Sequence, residues 1–261
     1  MAVSFSKYQA TGNDFILLDN RSRKMDLLPN QVALMCDRHF GIGADGLIAL
    51  EEKDGDWHMA YFNSDGHRGS FCGNGSRCFA LFLVHHGLAD TGDWLRYTAY
   101  DGWHRTRVLS EDVIETEMHV AAFPRRLEGH DLSGEAWFVH TGSPHVVILW
   151  PENPFYLENL EFEKKARGIR ESPAFQPEGT NVNFVHRVNG QWTVRTFERG
   201  VEAETLSCGT GVVAAALVAR HYQVTDTFFM RTAGGELQVH LTSEATPILR
   251  GPARKVFEGF W

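Results

Sequence analysis

The chain repeats one short motif about half its length apart. Cys72-Gly73-Asn74-Gly75 recurs as Cys208-Gly209-Thr210-Gly211. Two other pairs keep the same order and nearly the same spacing: Thr11-Gly12-Asn13 with Thr141-Gly142-Ser143, and Asn63-Ser64-Asp65-Gly66 with Glu198-Arg199-Gly200. A shift held over three pairs predicts two domains of similar fold, each contributing one face of a shared cleft.

Hydrophobic periodicity predicts a mixed α/β chain rich in strands. The predicted strands are Phe15–Asp19, His58–Phe62, Val182–His186, Trp192–Phe197 and Leu237–Leu241. The predicted helices are Gln31–His39, Gly73–His86, Leu160–Arg167 and Gly209–His221, with Gly87 and Gly168 ending the second and third. A change of domain is expected near Ala121–Leu132, where Phe123-Pro124-Arg125-Arg126 interrupts the strand pattern.

The bulk composition is that of an ordinary globular protein, with 261 residues, 43% of them hydrophobic, and a net charge of -8. That charge gives no electrostatic reason to expect nucleic acid or an anionic membrane as a partner. The N-terminal residues lack the pattern of a signal peptide, and the longest apolar run, Val212–Ala219, is too short to span a bilayer. The four cysteines form no Cys-x-x-Cys pair, so a reducing, cytoplasmic setting is expected.

Each Cys-Gly-x-Gly motif stands just ahead of a predicted helix. The unpaired amides and the positive dipole end of a helix N-terminus stabilise a thiolate, and the glycines leave room for a ligand to approach the backbone. Two such thiols on opposite sides of an α-carbon could remove and return its proton, which inverts the stereocentre without a cofactor. The alternative is that both cysteines are small buried hydrophobic residues, the role we assign to Cys36 and Cys78.

Beyond these motifs the chain resembles the diaminopimelate epimerase family almost end to end. The matching segments are Thr11-Gly12-Asn13-Asp14-Phe15, Gly41-Ile42-Gly43-Ala44-Asp45-Gly46, Phe62-Asn63-Ser64-Asp65-Gly66, Phe71-Cys72-Gly73-Asn74-Gly75-Ser76-Arg77-Cys78, Gly179-Thr180-Asn181-Val182-Asn183-Phe184, and Phe197-Glu198-Arg199-Gly200 through Glu204-Thr205-Leu206-Ser207-Cys208-Gly209-Thr210-Gly211. Singly each segment is weak, but their order and spacing are strongly specific.

The resemblance implies an α+β fold of two pseudo-symmetric domains, each a mostly antiparallel β-sheet or barrel wrapped around a central α-helix. The domains would span 1–121 and 122–249, with a C-terminal strand, 250–261, returning to the first domain and the active site in the cleft between them. It also implies interconversion of LL- and meso-diaminopimelate, a step in lysine and cell-wall precursor synthesis. The family uses neither pyridoxal phosphate nor metal, takes a small amino-acid substrate and is typically a homodimer.

The resemblance also assigns roles to individual residues. Cys72 and Cys208 are the acid–base pair, and His145 and Glu198 lie at the reacting or charged centres of the substrate. The main-chain and side-chain groups expected to bind the substrate belong to Gly73, Asn74, Gly209, Thr210, Asn13, Asn63, Asn181, Glu198 and Arg199. Among these, Arg199 is expected to clamp the distal carboxylate.

Three positions depart from the family pattern. Ser143 stands where Asn is common, Gly46 where Gln is common and Asn183 where Gly is common. These differences concern the recognition of the distal centre rather than the proton transfer. We read the acidic pair Glu202 and Glu204 as solvated surface.

Several other functions fit parts of the sequence. A proline or hydroxyproline racemase also uses two cysteines, but its substrate lacks a distal centre and its first motif resembles CGHG. The phenazine-type isomerases share the fold but lack the cysteine pair. A thiol redox protein needs no second glycine-rich helix start. An amino-acid-binding protein without catalytic activity would not need both thiols. A zinc protein is disfavoured because the cysteines and histidines lack zinc-ligand spacing.

Overall fold

The computed structural model describes residues 2–22, 25–69, 71–128, 132, 134–241 and 246–261. The α-helices in those residues are α1 (Pro29–Cys36), α2 (Gly73–His85), α3 (Asn159–Arg170) and α4 (Gly209–Ala219). The strands in chain order are β1 (Ser4–Ala10), β2 (Asn13–Asp19), β3 (Gly46–Lys53), β4 (Asp56–Asn63), β5 (Leu95–Ala99), β6 (Gly102–Ser110), β7 (Val113–Glu117), β8 (Ala122–Leu127), β9 (Glu135–His140), β10 (Pro144–Leu149), β11 (Asn181–Val188), β12 (Gln191–Glu198), β13 (Ala203–Thr205), β14 (Thr227–Thr232), β15 (Gly235–Leu241), β16 (Pro247–Gly251) and β17 (Arg254–Phe260). Short 3₁₀ helices occupy Pro154–Tyr156 and Pro173–Phe175.

The chain divides into two compact units. Unit 1 comprises Met1–Glu117 together with Gly251–Trp261, and unit 2 comprises Met118–Arg250. The last strand belongs to unit 1 because β17 pairs antiparallel with β1.

Unit 1 is built around α2. Strands β1, β2, β3, β4, β6, β7 and β17 all contact this helix. The helix is apolar on most of its surface, and Cys78, Phe79 and Leu83 are completely buried. A helix that is hydrophobic nearly all round is stable only when other elements cover it on every side, and the surrounding strands provide that cover.

Unit 2 is built in the same way around α4. Strands β8, β9, β10, β11, β12, β14 and β15 contact the helix. Every residue of α4 except Thr210 is buried. The helix contains no charged side chain, so its stability depends on enclosure rather than on an amphipathic face.

The strand pairings repeat from one unit to the other. In unit 1, β1–β2 is antiparallel, β2–β3 parallel and β3–β4 antiparallel. In unit 2, β9–β10, β10–β11 and β11–β12 follow the same sequence. The motif pairs of the sequence occupy matching turns of this plan, and the α+β fold class with a central helix is confirmed.

The helices that precede β3 and β11 end differently from the sequence prediction. Helix α1 stops at Cys36 rather than His39, because the carboxylate of Asp37 accepts hydrogen bonds from the amides of His39 and Phe40 at 2.7 and 2.8 Å and bends the chain. Helix α3 continues through Gly168 to Arg170. Glycine lowers helix stability by only about 1 kcal/mol, and tertiary contacts outweigh that cost.

The segment read as a break between domains is strand β8. Its pairing with β9 is irregular between Ala122 and Arg125, so Pro124 falls in the bulge, where no ladder hydrogen bond is required of it. A proline in a strand is tolerated at such a bulge. The interruption of the strand pattern seen in the sequence is therefore a bulge within a strand.

Of the described helices, none has both the length and the apolar character needed to cross a membrane.

Candidate active site

Cys72 is the N-cap residue of α2. Its backbone is extended (φ -124°, ψ 113°), its carbonyl accepts the first helical hydrogen bond from Ser76 at 2.8 Å, and its sulfur accepts from the amide of Gly75 at 3.4 Å. The amides of Gly73 and Asn74 lie in the first turn, where no earlier carbonyl of the helix can accept from them. The helix start therefore offers donors and a positive dipole end beside the thiol.

The side chain of Asn13 faces the Cys72 sulfur with its oxygen. Asn13 Nδ2 donates to the carboxylate of Asp45 at 2.7 Å, which fixes the orientation of the amide. Asn13 Oδ1 accepts from Asn74 Nδ2 at 3.3 Å and from Cys72 Sγ at 3.7 Å. Asn13, Cys72 and Asn74 thus form one hydrogen-bonded group, as expected of neighbouring binding residues.

Arg77 is hydrogen-bonded to this group through Asn74 and was not among the expected site residues. Its guanidinium is completely buried and donates to Asn74 Oδ1 at 2.8 Å and to Thr11 Oγ1 at 3.3 Å. Burial lowers the pKa of Arg77 to about 10, while the nearby thiols Cys78 and Cys72 act in the opposite direction. The side chain remains charged at neutral pH. A lone cation within an apolar helix was the available signal.

Asn63 ends β4 with an exposed side chain. Its carbonyl accepts from the amide of Gly66 at 2.9 Å in the following turn.

Cys208 has the same position in unit 2 that Cys72 has in unit 1. It is the extended N-cap residue of α4 (φ -112°, ψ 109°), and its carbonyl accepts from Val212 at 2.9 Å. Cys208 is buried, and its sulfur lies 3.5 Å from the hydroxyl oxygen of Thr210. Gly209 and Thr210 supply the first amides of the helix. The predicted placement of both cysteines just ahead of a helix is confirmed.

The second glycine of each motif packs closely against a neighbouring side chain. A Cβ atom at Gly211 would lie 2.4 Å from Asn183 Oδ1, and one at Gly75 would lie 3.0 Å from Ile48 Cδ1. Both contacts are with side chains of the same unit.

His145 lies beneath the start of α4. Its imidazole is completely buried, with Nε2 3.0 Å from both Ser143 Oγ and Thr210 Oγ1, and Nδ1 3.1 Å from Asn183 Nδ2. Burial, followed by the charge of nearby His140, lowers the pKa of His145 to about 3. The ring is therefore neutral at physiological pH.

Asn181 connects Ser143 to Arg199. Its Oδ1 accepts from the Arg199 amide at 2.9 Å, and its Nδ2 donates to Ser143 Oγ at 3.2 Å and to the carbonyl of Pro144 at 2.8 Å. The exposed Arg199 guanidinium donates to the carbonyl of Glu178 at 2.8 Å. Glu198 is half-buried and accepts a short hydrogen bond from the Thr205 hydroxyl.

Asn183, noted in the sequence only as a departure from the family pattern, is completely buried beside His145. It alternates with Asn181 along β11, so both side chains fall on one face of the sheet. The signal was the presence of two asparagines at this spacing within an apolar strand.

The acidic pair read as solvated surface is bound to arginines. The Glu204 carboxylate accepts two hydrogen bonds from the buried Arg195, at 2.6 and 2.7 Å. Glu202 accepts from Arg170 at 2.8 Å. These pairs anchor the segment that leads into Cys208. The surface reading is wrong for Glu204, whose side chain is 19% exposed, whereas that of Glu202 is 40% exposed.

The remaining cysteines belong to the core. Cys36 and Cys78 are buried, and burial raises the pKa of Cys36 to about 12 and that of Cys78 still further. Both stay as thiols, which confirms the prediction made for them. In the part of the chain that the structure describes, no group of three or more His, Cys, Asp or Glu side chains is arranged to hold a metal ion.

The low pKa of His145 predicts a pH-dependent contribution to stability. Between about pH 3 and pH 6.5 the His145 imidazole is protonated in the unfolded chain but neutral in the folded protein. The free energy of unfolding therefore rises with pH across that window. We expect wild type to lose about 2 kcal/mol more of its unfolding free energy than His145→Gln between pH 7.5 and pH 5. Urea unfolding at each pH measures this difference, and equal losses in the two proteins would contradict it.

Comparison with known proteins identifies the family. The diaminopimelate epimerase family profile matches residues 5–99 and 137–256. The diaminopimelate epimerase of Chlorobaculum tepidum is 41% identical to this chain, over 95% of this chain and 97% of the relative. That of Flavobacterium psychrophilum is 38% identical, over 97% of each chain. Two solved structures share the fold: a phenazine biosynthesis protein of the PhzF family from Enterococcus faecalis (TM-score 0.75, 12% identity, 100% and 99% coverage) and a hydroxyproline epimerase from Agrobacterium vitis with bound trans-4-hydroxy-L-proline (TM-score 0.68, 14% identity, 99% and 92% coverage). The resemblance seen in the motifs is thus confirmed, and the chain belongs to the diaminopimelate epimerase family of isomerases.

Proposed function

We propose that this protein epimerises LL-2,6-diaminopimelate to the meso form, using Cys72 and Cys208 as a thiolate and thiol pair without a cofactor. The observation that carries the proposal is that each cysteine is the N-cap of an enclosed central helix, in two units with the same strand plan. Family membership over nearly the whole chain supports the choice of substrate.

In the proposed reaction one sulfur, as thiolate, removes the α-proton of the substrate. The other sulfur, as thiol, gives its own proton to the opposite face of the same carbon. After the step the first sulfur is a thiol and the second a thiolate, so atoms and charge balance and the configuration is inverted. The pair works in both directions because each sulfur can occupy either state.

The carbanion formed in this step places negative charge on the substrate carboxylate. The first-turn amides of Gly73, Asn74, Gly209 and Thr210 are the donors proposed to stabilise it. Such fixed donors act as an oxyanion hole because they need no reorganisation when the charge develops. Asn13 holds the proton of the neutral Cys72 thiol through its amide oxygen.

The distal amino-acid centre requires charged recognition. We assign its carboxylate to Arg199, whose guanidinium is exposed and planar, and its ammonium to Glu198. Asn63 and Asn181 are proposed as additional uncharged contacts. His145 belongs to the catalytic group through Thr210, since its own ring is completely buried.

We place this reaction in the cytoplasm, in lysine and peptidoglycan precursor synthesis.

We also propose that the protein acts as a homodimer. The outer strand β17 and the residue after it expose apolar side chains, with Val256, Phe260 and Trp261 exposed by 56%, 78% and 42%. Such a surface is typical of an interface. We expect analytical ultracentrifugation to give the mass of a dimer for wild type and the mass of a monomer for Phe260→Glu. Leu160→Glu, at another exposed apolar residue, is the control and should remain a dimer. A monomeric wild type would refute the proposal.

The reaction is tested by α-proton exchange in D₂O, followed by NMR. Reduced protein given LL-diaminopimelate without added cofactor should incorporate deuterium and form the meso isomer. Cys72→Ala and Cys208→Ala should each slow epimerisation by about 10³-fold, because each removes one acid–base group. Cys36→Ala is the matched control and should retain activity.

Failure of reduced, folded protein to exchange this substrate would overturn the proposal. Exchange of proline instead would assign the protein to the racemases, and reaction of the thiols with peroxide alone would favour a redox function.

The distal recognition is tested by Arg199→Gln. Loss of a charged hydrogen-bonding group should lower kcat/KM for diaminopimelate by roughly 100-fold, since such bonds contribute about 1.5–3 kcal/mol. Arg187→Gln removes an exposed arginine from β11 in the same unit and serves as the control. Equal kinetics for the two variants would exclude Arg199 from substrate binding.

A further inference from the structure

The hydrogen bonds around Asn183 fix the orientation of its amide. The carbonyl of Val146 can only accept a hydrogen bond, and it lies 3.0 Å from Asn183 Nδ2. The reverse orientation would place two oxygens in contact. Asn183 Oδ1, on the other side, accepts from the hydroxyl of Thr196 at 3.0 Å. Gly211 lies against the same amide, so the side chain has little freedom to turn.

The fixed amide determines the tautomer of His145. Asn183 Nδ2 is a donor, so Nδ1 of the imidazole, 3.1 Å away, must accept. The ring is neutral because burial lowers its pKa, and the neighbouring His140 and Arg199 charges act in the same direction. A neutral imidazole carries one proton, which must therefore be on Nε2.

The proton on Nε2 limits the hydrogen bonds that the Thr210 hydroxyl can donate. Nε2 lies 3.0 Å from both Thr210 Oγ1 and Ser143 Oγ; its one proton is available to either oxygen, and it can accept from neither. Ser143 Oγ, which accepts from Asn181, lies 3.3 Å from Thr210 Oγ1 and has its own proton to give. Because the protonated Nε2 cannot accept the Thr210 proton, the hydroxyl of Thr210 can direct it toward the Cys208 sulfur, 3.5 Å away.

We propose that Asn183 is a positioning residue for the reaction: it holds His145 as the Nε2–H tautomer, so that the Thr210 hydroxyl donates to Cys208 and favours the thiolate of that cysteine. The inference rests on the proposed acid–base role of Cys208.

The opposite tautomer shows why the residue matters. With the proton on Nδ1, Nε2 would become an acceptor and compete with the sulfur for the Thr210 proton. A thiolate that loses a hydrogen-bond donor becomes a stronger base, and its pKa rises. Asn183 therefore acts on Cys208 through two intervening side chains without touching the substrate.

The test measures tautomer and thiol ionisation in substrate-free protein. Nitrogen-15 NMR of the ring should show His145 protonated on Nε2 in wild type. Alkylation with iodoacetamide over a range of pH, read for each cysteine by mass spectrometry, should give an apparent pKa for Cys208 that is about one unit higher in Asn183→Ala. Below that pKa the alkylation is then about tenfold slower. Cys72, in unit 1, is the internal reference and should not change.

Thr196→Val is the matched control. It removes a hydrogen bond to the same amide but leaves Nδ2 donating to both Val146 and His145. A purely structural role for the network would make the two variants equivalent, whereas the proposal requires the Cys208 pKa to shift in Asn183→Ala alone.

Three outcomes would overturn the proposal: an Nδ1–H tautomer in wild type, an unchanged Cys208 pKa in folded Asn183→Ala, or an equal shift in Thr196→Val. If Asn183→Ala does not fold, the wild-type tautomer still decides the question. None of these measurements uses diaminopimelate. A failure here is therefore separate from a failure of the proposed epimerase reaction.

Discussion

The enclosure of each central helix is the constraint on which the rest of the structure depends. Helix α4 is buried from Gly209 onward apart from Thr210, and strands contact it from many directions. A helix covered in this way can present reactive groups only at its ends, and its first amides require acceptors that the helix cannot supply. The N-cap position therefore combines a fixed location, unpaired donors and a favourable dipole, and the chain places a cysteine there in each unit.

Much of this arrangement is visible in the sequence because it follows from local rules. A Cys-Gly-x-Gly followed by an apolar run predicts a helix start, and both starts lie at Gly73 and Gly209 as expected. The doubled motif predicts the doubled strand plan, since repeated sequence at a constant shift reflects repeated structure. Asn13 was placed near Cys72 through the family resemblance, and the hydrogen bond between them agrees with it.

What the sequence does not reveal depends on contacts between distant segments. Arg77 is a charge within an apolar helix, and its burial is explained in part by hydrogen bonds to the distant Thr11 and Pro252. Glu204 resembles surface until Arg195 is seen to bind it from the adjacent strand. Pro124 ends a strand by propensity, yet a bulge accommodates it. In each case the tertiary partner, which has no local signature, outweighs the local preference.

The two cysteines occupy equivalent positions but have different neighbours, and this difference has a chemical consequence. Two thiols in identical surroundings would have the same intrinsic pKa, so neither would be preferred as the protonated one. At Cys72 the oxygen of Asn13 favours the neutral thiol, while the buried charge of Arg77 favours the thiolate. At Cys208 the nearby hydroxyl of Thr210 is a potential donor. The two sulfurs are therefore chemically distinct, and the proposed exchange of acid and base starts from unequal partners.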